Sequence, residues 1–257
     1  MTGERTTAGF WDAYWEGLSL PTRIDPAFAF DRCFARGLDR AFAGVSGHVL
    51  EIGCAPGKWL AYLAGRHGLV PAGIEYSPEG LRATRRNFEL LGVTNAELIE
   101  GDFFALAPEP RFDAVASYGL VEHFDDPGSV LDRHVAWLKP GGRLVIGVPN
   151  FRGVHGTLQR MLDPKILALH NLGVMRPAFF AGWARERGLA IARLEYFGGF
   201  EPGLPIVDRT RRAPGVLLAR AVLAAGWRVR RSPLLDGVNG PLVSSYLMCA
   251  ARKPAAS

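Results

Sequence analysis

A tight, glycine-containing turn has the residue types that bind an anionic part of a small molecule. The turn joins a β-rich run, His48 to Gly53, to a helical stretch that begins at Gly57. Glycine lacks a Cβ and lets a ligand approach the backbone closely. The start of a helix offers unpaired N–H groups and a positive dipole end, which suit a carboxylate or a phosphate. The turn is therefore expected to bind such a group.

Acidic residues end the next two β-rich runs. Glu75 ends the run that begins at Val70, and Asp102 follows a short run, Leu98 to Glu100. Because open parallel sheets bind ligands at the carboxyl ends of their strands, both carboxylates are expected at the same crevice as the turn. Glu75 is placed there to accept hydrogen bonds from both hydroxyls of a ribose. The dinucleotide fingerprint G-x-G-x-x-G is absent, because the turn has Gly, Ala and Gly at every second position.

The turn from Glu51 to Lys58 resembles motif I of the class I S-adenosylmethionine-dependent methyltransferases, usually written E/D-x-G-x-G-x-G, with Ala55 in place of the central glycine. The run Phe112 to Ser117 resembles motif IV of that family, and Leu138 to Leu144 resembles the turn before its fifth strand. The resemblance covers roughly residues 45 to 153. Outside that range the likeness is a general one, to small-molecule methyltransferases of the ubiquinone-biosynthesis type.

The resemblance implies S-adenosylmethionine as the methyl donor and S-adenosylhomocysteine as the product. It also implies that Asp102 binds the adenine amino group and that its neighbour Phe103 packs on the ring. The candidate cofactor-binding residues are Glu51, Gly53, Cys54, Ala55, Gly57, Lys58, Glu75, Tyr76, Ser77, Asp102, Phe103, Ser117 and Tyr118.

Methyl transfer from a sulfonium is an in-line displacement, so the enzyme must chiefly hold the reacting atoms in line in a dry pocket. A hydroxyl acceptor would also gain ~10²–10⁴-fold from a general base. Glu122 and His123 follow the fourth strand, and many family members have the same pair there. Glu122 and His123 are the first candidate bases. The alternative role of His123 is to cover the cofactor. His155 and His170 lie in the insertion where the family builds its acceptor site, either as alternative bases or as structural residues.

Missing motifs narrow the choice of acceptor. Ser117-Tyr118-Gly119-Leu120 stands where nucleic-acid and glutamine methyltransferases have Asn/Asp-Pro-Pro-Tyr, and where catechol-type enzymes have a metal-binding aspartate, so no metal is expected. The strand Leu144 to Asn150 lacks the lysine that RNA ribose 2′-O-methyltransferases use. The predicted reaction transfers a methyl group to an oxygen or nitrogen of a small biosynthetic or secondary metabolite. The alternatives are an RNA ribose 2′-O-methyltransferase and a non-catalytic cofactor-binding subunit.

Short β-rich runs alternate with helical stretches from about His48, as in repeated βαβ units. They predict an α/β fold with a doubly wound, mostly parallel sheet, preceded by an N-terminal helical cap and carrying an insertion after the fifth strand. The resemblance to the methyltransferases implies that this sheet has seven strands and the Rossmann-like fold of that family. We expect a single domain, 1–257, made of a cap (1–45), a cofactor-binding core (46–153), a substrate-site insertion (154–189) and a sheet-completing part with a basic helix (190–257). Other predicted elements are a helix from about Thr157 to His170, the fifth strand from Arg143 to Val148, a basic helix from Val216 to Arg231 and the last strand from Val243 to Ala251.

Composition and charge set broader bounds. The formal charge of +5 comes mainly from arginine, and the three cysteines fit neither a disulfide framework nor a zinc site. No signal-peptide stretch opens the chain, and its longest apolar segment falls short of the ~20 residues of a membrane span, so a cytoplasmic protein is expected. The expected partner is a small-molecule acceptor; nucleic acid is not favoured. For the basic helix, packing on the sheet or a role as a lid is favoured over contact with an anionic membrane or with a partner that carries an acidic substrate.

Overall fold

The β-rich runs of the sequence form a seven-stranded sheet with helices on both faces in the computed structural model, which describes residues 3–207 and 210–255. The helices are α1 (Ala8–Trp15), α2 (Ala29–Ala41), α3 (Lys58–His67), α4 (Pro78–Leu91), α5 (Pro127–Ala136), α6 (Val154–Leu162), α7 (Pro164–Ala168), α8 (Pro177–Glu186) and α9 (Pro214–Val229). The strands are β1 (His48–Ile52), β2 (Val70–Glu75), β3 (Glu97–Glu100), β4 (Phe112–Tyr118), β5 (Leu138–Pro149), β6 (Ala190–Phe197) and β7 (Tyr246–Arg252).

The strand order is β3-β2-β1-β4-β5-β7-β6, and only β7 runs against its neighbours. The predicted fold class is therefore confirmed. The strand order reverses at β1, which pairs with β2 on one side and β4 on the other. In such sheets a ligand crevice opens at the carboxyl ends of the strands beside this reversal.

Successive residues of the central strands pack on opposite faces of the sheet, as the two-residue period of a strand requires. On β1, Leu50 and Ile52 join the core under α5 and α8, whereas Val49 joins the core under α2, α3 and α4. On β5, Leu144 and Ile146 likewise face the first core and Val145 the second. Two apolar layers thus pack on opposite faces of the sheet and hold in place the strand ends that form the crevice.

Two predicted boundaries around Pro-Gly-Gly and Pro164 are wrong for local reasons. Strand β5 begins at Leu138, because the chain bulges at Pro140-Gly141-Gly142 and still pairs with β4: Leu138 is opposite Phe112 and Arg143 opposite Ala114. The helix predicted from Thr157 to His170 is two helices, α6 and α7. Pro164 has no N–H to continue α6, and the Asp163 side chain caps the new helix by accepting a hydrogen bond from the Lys165 N–H.

The last strand starts at Tyr246 rather than Val243. The residues just before Tyr246 do not pair in the sheet. The backbone oxygens of Ser244 and Ser245 accept hydrogen bonds from Asn150 instead. Among the described residues, no helix is both long and apolar enough to cross a membrane.

Candidate active site

A cavity of about 340 Å³ opens at the carboxyl ends of β1, β2 and β4, beneath helix α1. Its position is the one that the strand reversal predicts. The candidate cofactor-binding residues that line it are Gly53, Ala55, Lys58, Glu75, Tyr76, Asp102, Phe103 and Tyr118. The candidate bases that line it are Glu122, His123 and His170.

The two glycines of the turn after β1 serve different purposes. Gly53 has φ +70°, lines the cavity and would place a Cβ 3.4 Å from Leu120. Gly57, with φ +82°, does not line the cavity, and a Cβ there would lie 2.5 Å from the ring of Phe88 on α4. Gly53 therefore exposes backbone to a ligand, whereas Gly57 allows α3 and α4 to pack closely.

Lys58, at the first position of α3, brings a positive charge to the same part of the cavity. Its ammonium group lies 2.6 Å from the carboxylate of Asp31, which is on α2 and buried. The N-terminal cap thus fixes the lysine beside the motif I turn.

Glu75 ends β2 with its carboxylate held in place by two backbone groups. One oxygen accepts the Ser77 N–H at 3.0 Å and the other the Ala55 N–H at 3.2 Å. Burial raises the pKa of this carboxyl, and these backbone donors oppose that rise. Each oxygen still has a lone pair, so a ligand in the cavity can donate hydroxyl hydrogen bonds to Glu75.

The residues after β3 form the next part of the wall. The side chain of Asp102 is exposed and turns back to accept the Phe104 N–H at 2.8 Å, while the ring of Phe103 is buried. Tyr76 connects this wall to the N-terminal segment, because its hydroxyl donates a hydrogen bond to Glu4 at 2.7 Å. An acidic group and two aromatic faces thus surround the space beyond Glu75.

Two histidines and a carboxyl converge at the other end of the cavity. Both histidines donate from Nδ1 to a backbone carbonyl, His123 to Leu169 at 2.9 Å and His170 to Ile166 at 2.7 Å. A neutral imidazole that donates from Nδ1 keeps a lone pair on Nε2. The Nε2 of His123 lies 3.7 Å from a carboxyl oxygen of Glu122, and the two imidazole rings are 4.6 Å apart.

Burial decides the protonation of this cluster. It raises the pKa of Glu122 to about 8 and lowers the pKa of His123 to about 3, and it also lowers the pKa of His170. At neutral pH the carboxyl is therefore mostly protonated and both imidazoles are neutral. The second carboxyl oxygen of Glu122 is buried without a hydrogen-bond partner. Glu122, His123 and His170 could also hold a metal ion, because their ligand atoms all lie within 4.8 Å of one another. They are the one such group of three among the described residues.

Comparisons with known proteins agree with this geometry. A family model described as a methyltransferase domain matches residues 27–194. The chain belongs to this methyltransferase family. The ubiquinone biosynthesis O-methyltransferase of Xylella fastidiosa strain 9a5c is 29% identical over 195 residues, which are 71% of this chain and 74% of the relative.

Solved structures show the same fold at low identity. A Bacillus halodurans C-125 protein assigned as a methyltransferase matches with a TM-score of 0.60 at 18% identity, over 86% of this chain and 98% of that one. The phosphoethanolamine N-methyltransferase 2 of Haemonchus contortus, solved with S-adenosylmethionine, has a TM-score of 0.57 at 18% identity, over 86% of this chain and 52% of that one. As a member of the methyltransferase family that matches residues 27–194, the protein is an S-adenosylmethionine-dependent methyltransferase, as predicted.

The residues of the cavity fit this cofactor. The bare backbone at Gly53 and the Lys58 ammonium suit the methionine carboxylate, and the held carboxylate of Glu75 suits the ribose hydroxyls. Asp102 and Phe103 suit the adenine amino group and ring. These assignments to individual residues stay predictions.

Five of the candidate cofactor residues do not line the cavity of the methyltransferase. Gly57 packs on α4, and Cys54 is in the core with its sulfur beside Gly73. Ser77 caps α4 through the Gly80 N–H, and Ser117 hydrogen-bonds the buried His134 at 3.0 Å. Glu51 is buried behind the turn, where it accepts the backbone N–H of Leu60. Each supports the cavity wall from behind.

His155 is also outside the cavity. It is buried against Phe200 with ring centroids 5.0 Å apart, and its Nε2 accepts the Glu201 N–H at 3.1 Å. Its position joins α6 to the segment after β6. The structure therefore brings together three of the four candidate bases and separates the fourth.

Several lining residues lay beyond what sequence reasoning identified. Leu204 and Ile206 come from the loop after β6, and Tyr246 from the start of β7. Because β7 is antiparallel to β5, its first residue lies opposite Pro149, at the carboxyl end of β5. Only the orientation of β7 could have placed Tyr246 at the site.

Proposed function

We propose that this methyltransferase transfers the methyl group of S-adenosylmethionine to a hydroxyl oxygen of a small, largely apolar aromatic acceptor. One observation carries the proposal. The same cavity is lined by Gly53 and Glu75, the predicted cofactor residues, and by His123 and His170, whose Nδ1 donors are bound to carbonyls and whose Nε2 atoms keep a lone pair. Donor and acceptor therefore share one enclosed space.

The acceptor end has the character that such a molecule needs. Its wall is made of Phe151, Ile166, Leu169, Leu204 and Tyr246, with rings of the N-terminal helix α1 above it. Ligand pockets of this kind combine an apolar lining with a few convergent polar groups. The relatives named O-methyltransferases also support oxygen as the acceptor atom.

In the proposed mechanism, S-adenosylmethionine supplies an electrophilic methyl group on a sulfonium. The protein holds the acceptor oxygen in line with it and excludes water. His123 accepts the hydroxyl proton at Nε2, since its Nδ1–H is held by the Leu169 carbonyl. The nearest carboxyl, that of Glu122 at 3.7 Å from this nitrogen, is mostly protonated at neutral pH, so it would stabilise the imidazolium only once it has lost its own proton.

An RNA ribose acceptor is less well supported. Its catalytic tetrad needs two lysines, and Lys58 is the single lysine among the described residues that line the cavity.

The test measures methyl transfer from isotopically labelled S-adenosylmethionine to a series of phenols of graded acidity. We expect His123→Ala to lower kcat by ~10²–10⁴ with little change in affinity for S-adenosylhomocysteine. The loss should shrink for the more acidic phenols, because they need less help to lose the proton. His48→Ala, a histidine at the start of β1 and outside the cavity, is the control and should keep full activity.

Two outcomes would contradict the proposal. Transfer to amines but to no hydroxyl would exclude oxygen as the acceptor atom. An equal loss in His123→Ala for all phenols would remove His123 as the base and leave it a positioning role. Assays with and without a chelator show whether the cluster of Glu122, His123 and His170 works with a metal ion.

A further inference from the structure

Helix α9 is buried against the rest of the protein along one narrow face. Val216, Ala219, Leu223 and Gly226 are buried, and they pack on α6 and on the segment after β6. These positions form one stripe along the helix. The sequence predicted packing on the sheet; the buried stripe packs on α6 and on the segment after β6 instead.

The outward face of α9 is apolar as well. Leu217, Leu218, Val222 and Val229 are exposed, Leu218 to 62% of its surface. Ala221, Ala224 and Ala225 lie between them and are exposed too. Arg228 is the single charged residue on this face. A water-exposed helix normally turns charged side chains outward, so a helix that is apolar on both faces indicates a second apolar environment.

Arginines flank this face along the chain. Residues 210–235 contain six arginines and no aspartate or glutamate. Arg211 and Arg212 precede the helix, and Arg230 and Arg231 follow it. Exposed apolar side chains ringed by arginine match an anionic lipid surface, which offers hydrocarbon below and phosphate above.

The dimensions fit a helix that lies in such a surface. Sixteen residues make a helix of about 24 Å, shorter than the ~20 residues needed to cross a bilayer. No described helix could span a membrane. Binding would therefore be in the plane of the interface, with the buried stripe still on the protein.

This face is next to the entrance of the cavity. The segment 200–206 separates the two: Phe200 and Pro202 pack on Gly226 of α9, whereas Gly203, Leu204 and Ile206 line the cavity. A Cβ added to Gly203 would lie 3.6 Å from the indole of Trp227, so the two residues are adjacent. Ile206 lines the cavity and is itself 38% exposed.

We propose that the outward face of α9 docks the protein on an anionic phospholipid membrane, with the cavity entrance beside the lipid. Docking there gives an apolar acceptor a short path from the bilayer to the cavity. The surface argument holds whichever atom of the acceptor is methylated.

The test is co-sedimentation of the full chain with phosphatidylcholine vesicles containing about one third phosphatidylglycerol, and with pure phosphatidylcholine vesicles. We expect binding to the anionic vesicles that weakens with salt. The double substitution Leu218→Gln and Val222→Gln should lower the partition at least about tenfold. Arg228→Gln with Arg231→Gln should lower it by about the same factor on anionic vesicles.

Matched controls are on α4, away from α9. Leu90→Gln removes an exposed leucine, and Arg85→Gln with Arg86→Gln removes two exposed arginines. Both should bind vesicles like the unchanged protein. All variants alter exposed residues, and their melting temperatures and affinity for S-adenosylhomocysteine confirm that the fold is intact.

Hydrogen exchange adds a second measurement, because docking should slow exchange at 214–229 in the presence of anionic vesicles. The proposal is overturned if anionic vesicles do not bind, or if the α9 and α4 variants bind equally. It is also overturned if the α9 substitutions dissociate a dimer in solution or abolish RNA binding while vesicles never bind. Each outcome is distinct from loss of methyl transfer, which the vesicle assay does not measure.

Discussion

Two glutamates on neighbouring strands, Glu51 on β1 and Glu75 at the end of β2, show how position decides the role of a carboxyl group. Both are buried, and burial raises the pKa of each carboxyl; the charge of Glu75 raises the pKa of Glu51 further. Glu75 lines the cavity with its oxygens held by backbone N–H groups, whereas Glu51 is enclosed behind the motif I turn. Glu75 is thus available to a ligand and Glu51 is not.

Substitution of Glu75 tests its role toward the cofactor. Glu75→Gln replaces an acceptor-only group by an amide, which can accept on one side only. We expect affinity for S-adenosylhomocysteine to fall by roughly 10- to 100-fold, the cost of losing one or two hydrogen bonds to a charged group. Titration calorimetry gives the measurement.

The matched control for Glu75 is Glu100→Gln, at the exposed end of the neighbouring strand β3 and outside the cavity. It should bind the product as the unchanged protein does. Equal affinity in Glu75→Gln would show that the ribose is held by other groups.

At the scale of elements, α1 is the part of the structure that closes the cavity. Phe10, Trp11, Tyr14 and Trp15 all line it, and the ring of Trp11 meets that of His123 at 5.2 Å. The helix is short and has no fully buried residue. It is held to the body by Asp12, whose carboxylate accepts the Ser77 hydroxyl at 2.6 Å and the Glu79 N–H at 3.2 Å.

Asp12→Ala should therefore loosen α1 without altering the sheet. We expect weaker binding of S-adenosylhomocysteine and faster hydrogen exchange at 8–15, because the helix loses its link to the start of α4. Glu16→Ala, at the exposed end of the same helix, should change neither quantity. If Asp12→Ala exchanges and binds like the unchanged protein, α1 is held by its aromatic contacts instead.

Local rules predicted most of these elements, and contacts between distant segments decided the rest. Alternation of β-rich and helical runs located the strands around the turn, and acidic residues at strand ends located Glu75 and Asp102. Nothing local distinguishes Gly57, which serves α4, from Gly53, which faces the cavity. The separation of His155 from His170 depends on where α6 ends, and that end is set by Pro164.

Across the whole molecule, buried titratable groups set opposite pH dependences of stability. Burial lowers the pKa of His123 to about 3 and of His134 and His155 to about 4. The unfolded chain binds protons at these residues below ~6.5 while the folded chain does not, so they destabilise the fold as the pH falls below that value. Above it they have no effect.

The buried carboxyl groups act in the other direction, and Glu51 gives the cleanest test. Burial raises the pKa of Glu51 well above its usual value, so the folded chain keeps a proton that the unfolded chain releases above ~4.5. Stability from this group is complete at low pH and is lost as the pH rises, by up to about 1.4 kcal/mol per pH unit. Since the histidines no longer contribute above pH ~6.5, and burial raises the pKa of Glu122 to about 8 and that of Glu51 well above its usual value, the melting temperature should fall between about pH 6.5 and 8. Glu51→Gln keeps an oxygen to accept the Leu60 N–H but has no proton to lose. Its melting temperature should therefore fall less steeply with pH, by a few degrees per pH unit, at roughly 2–4 °C for each kcal/mol.

Thermal melts of the ligand-free protein measure this difference, and the control Glu100→Gln should follow the unchanged protein. If the melting temperature of Glu51→Gln runs parallel to both, Glu51 is already ionised in the folded state.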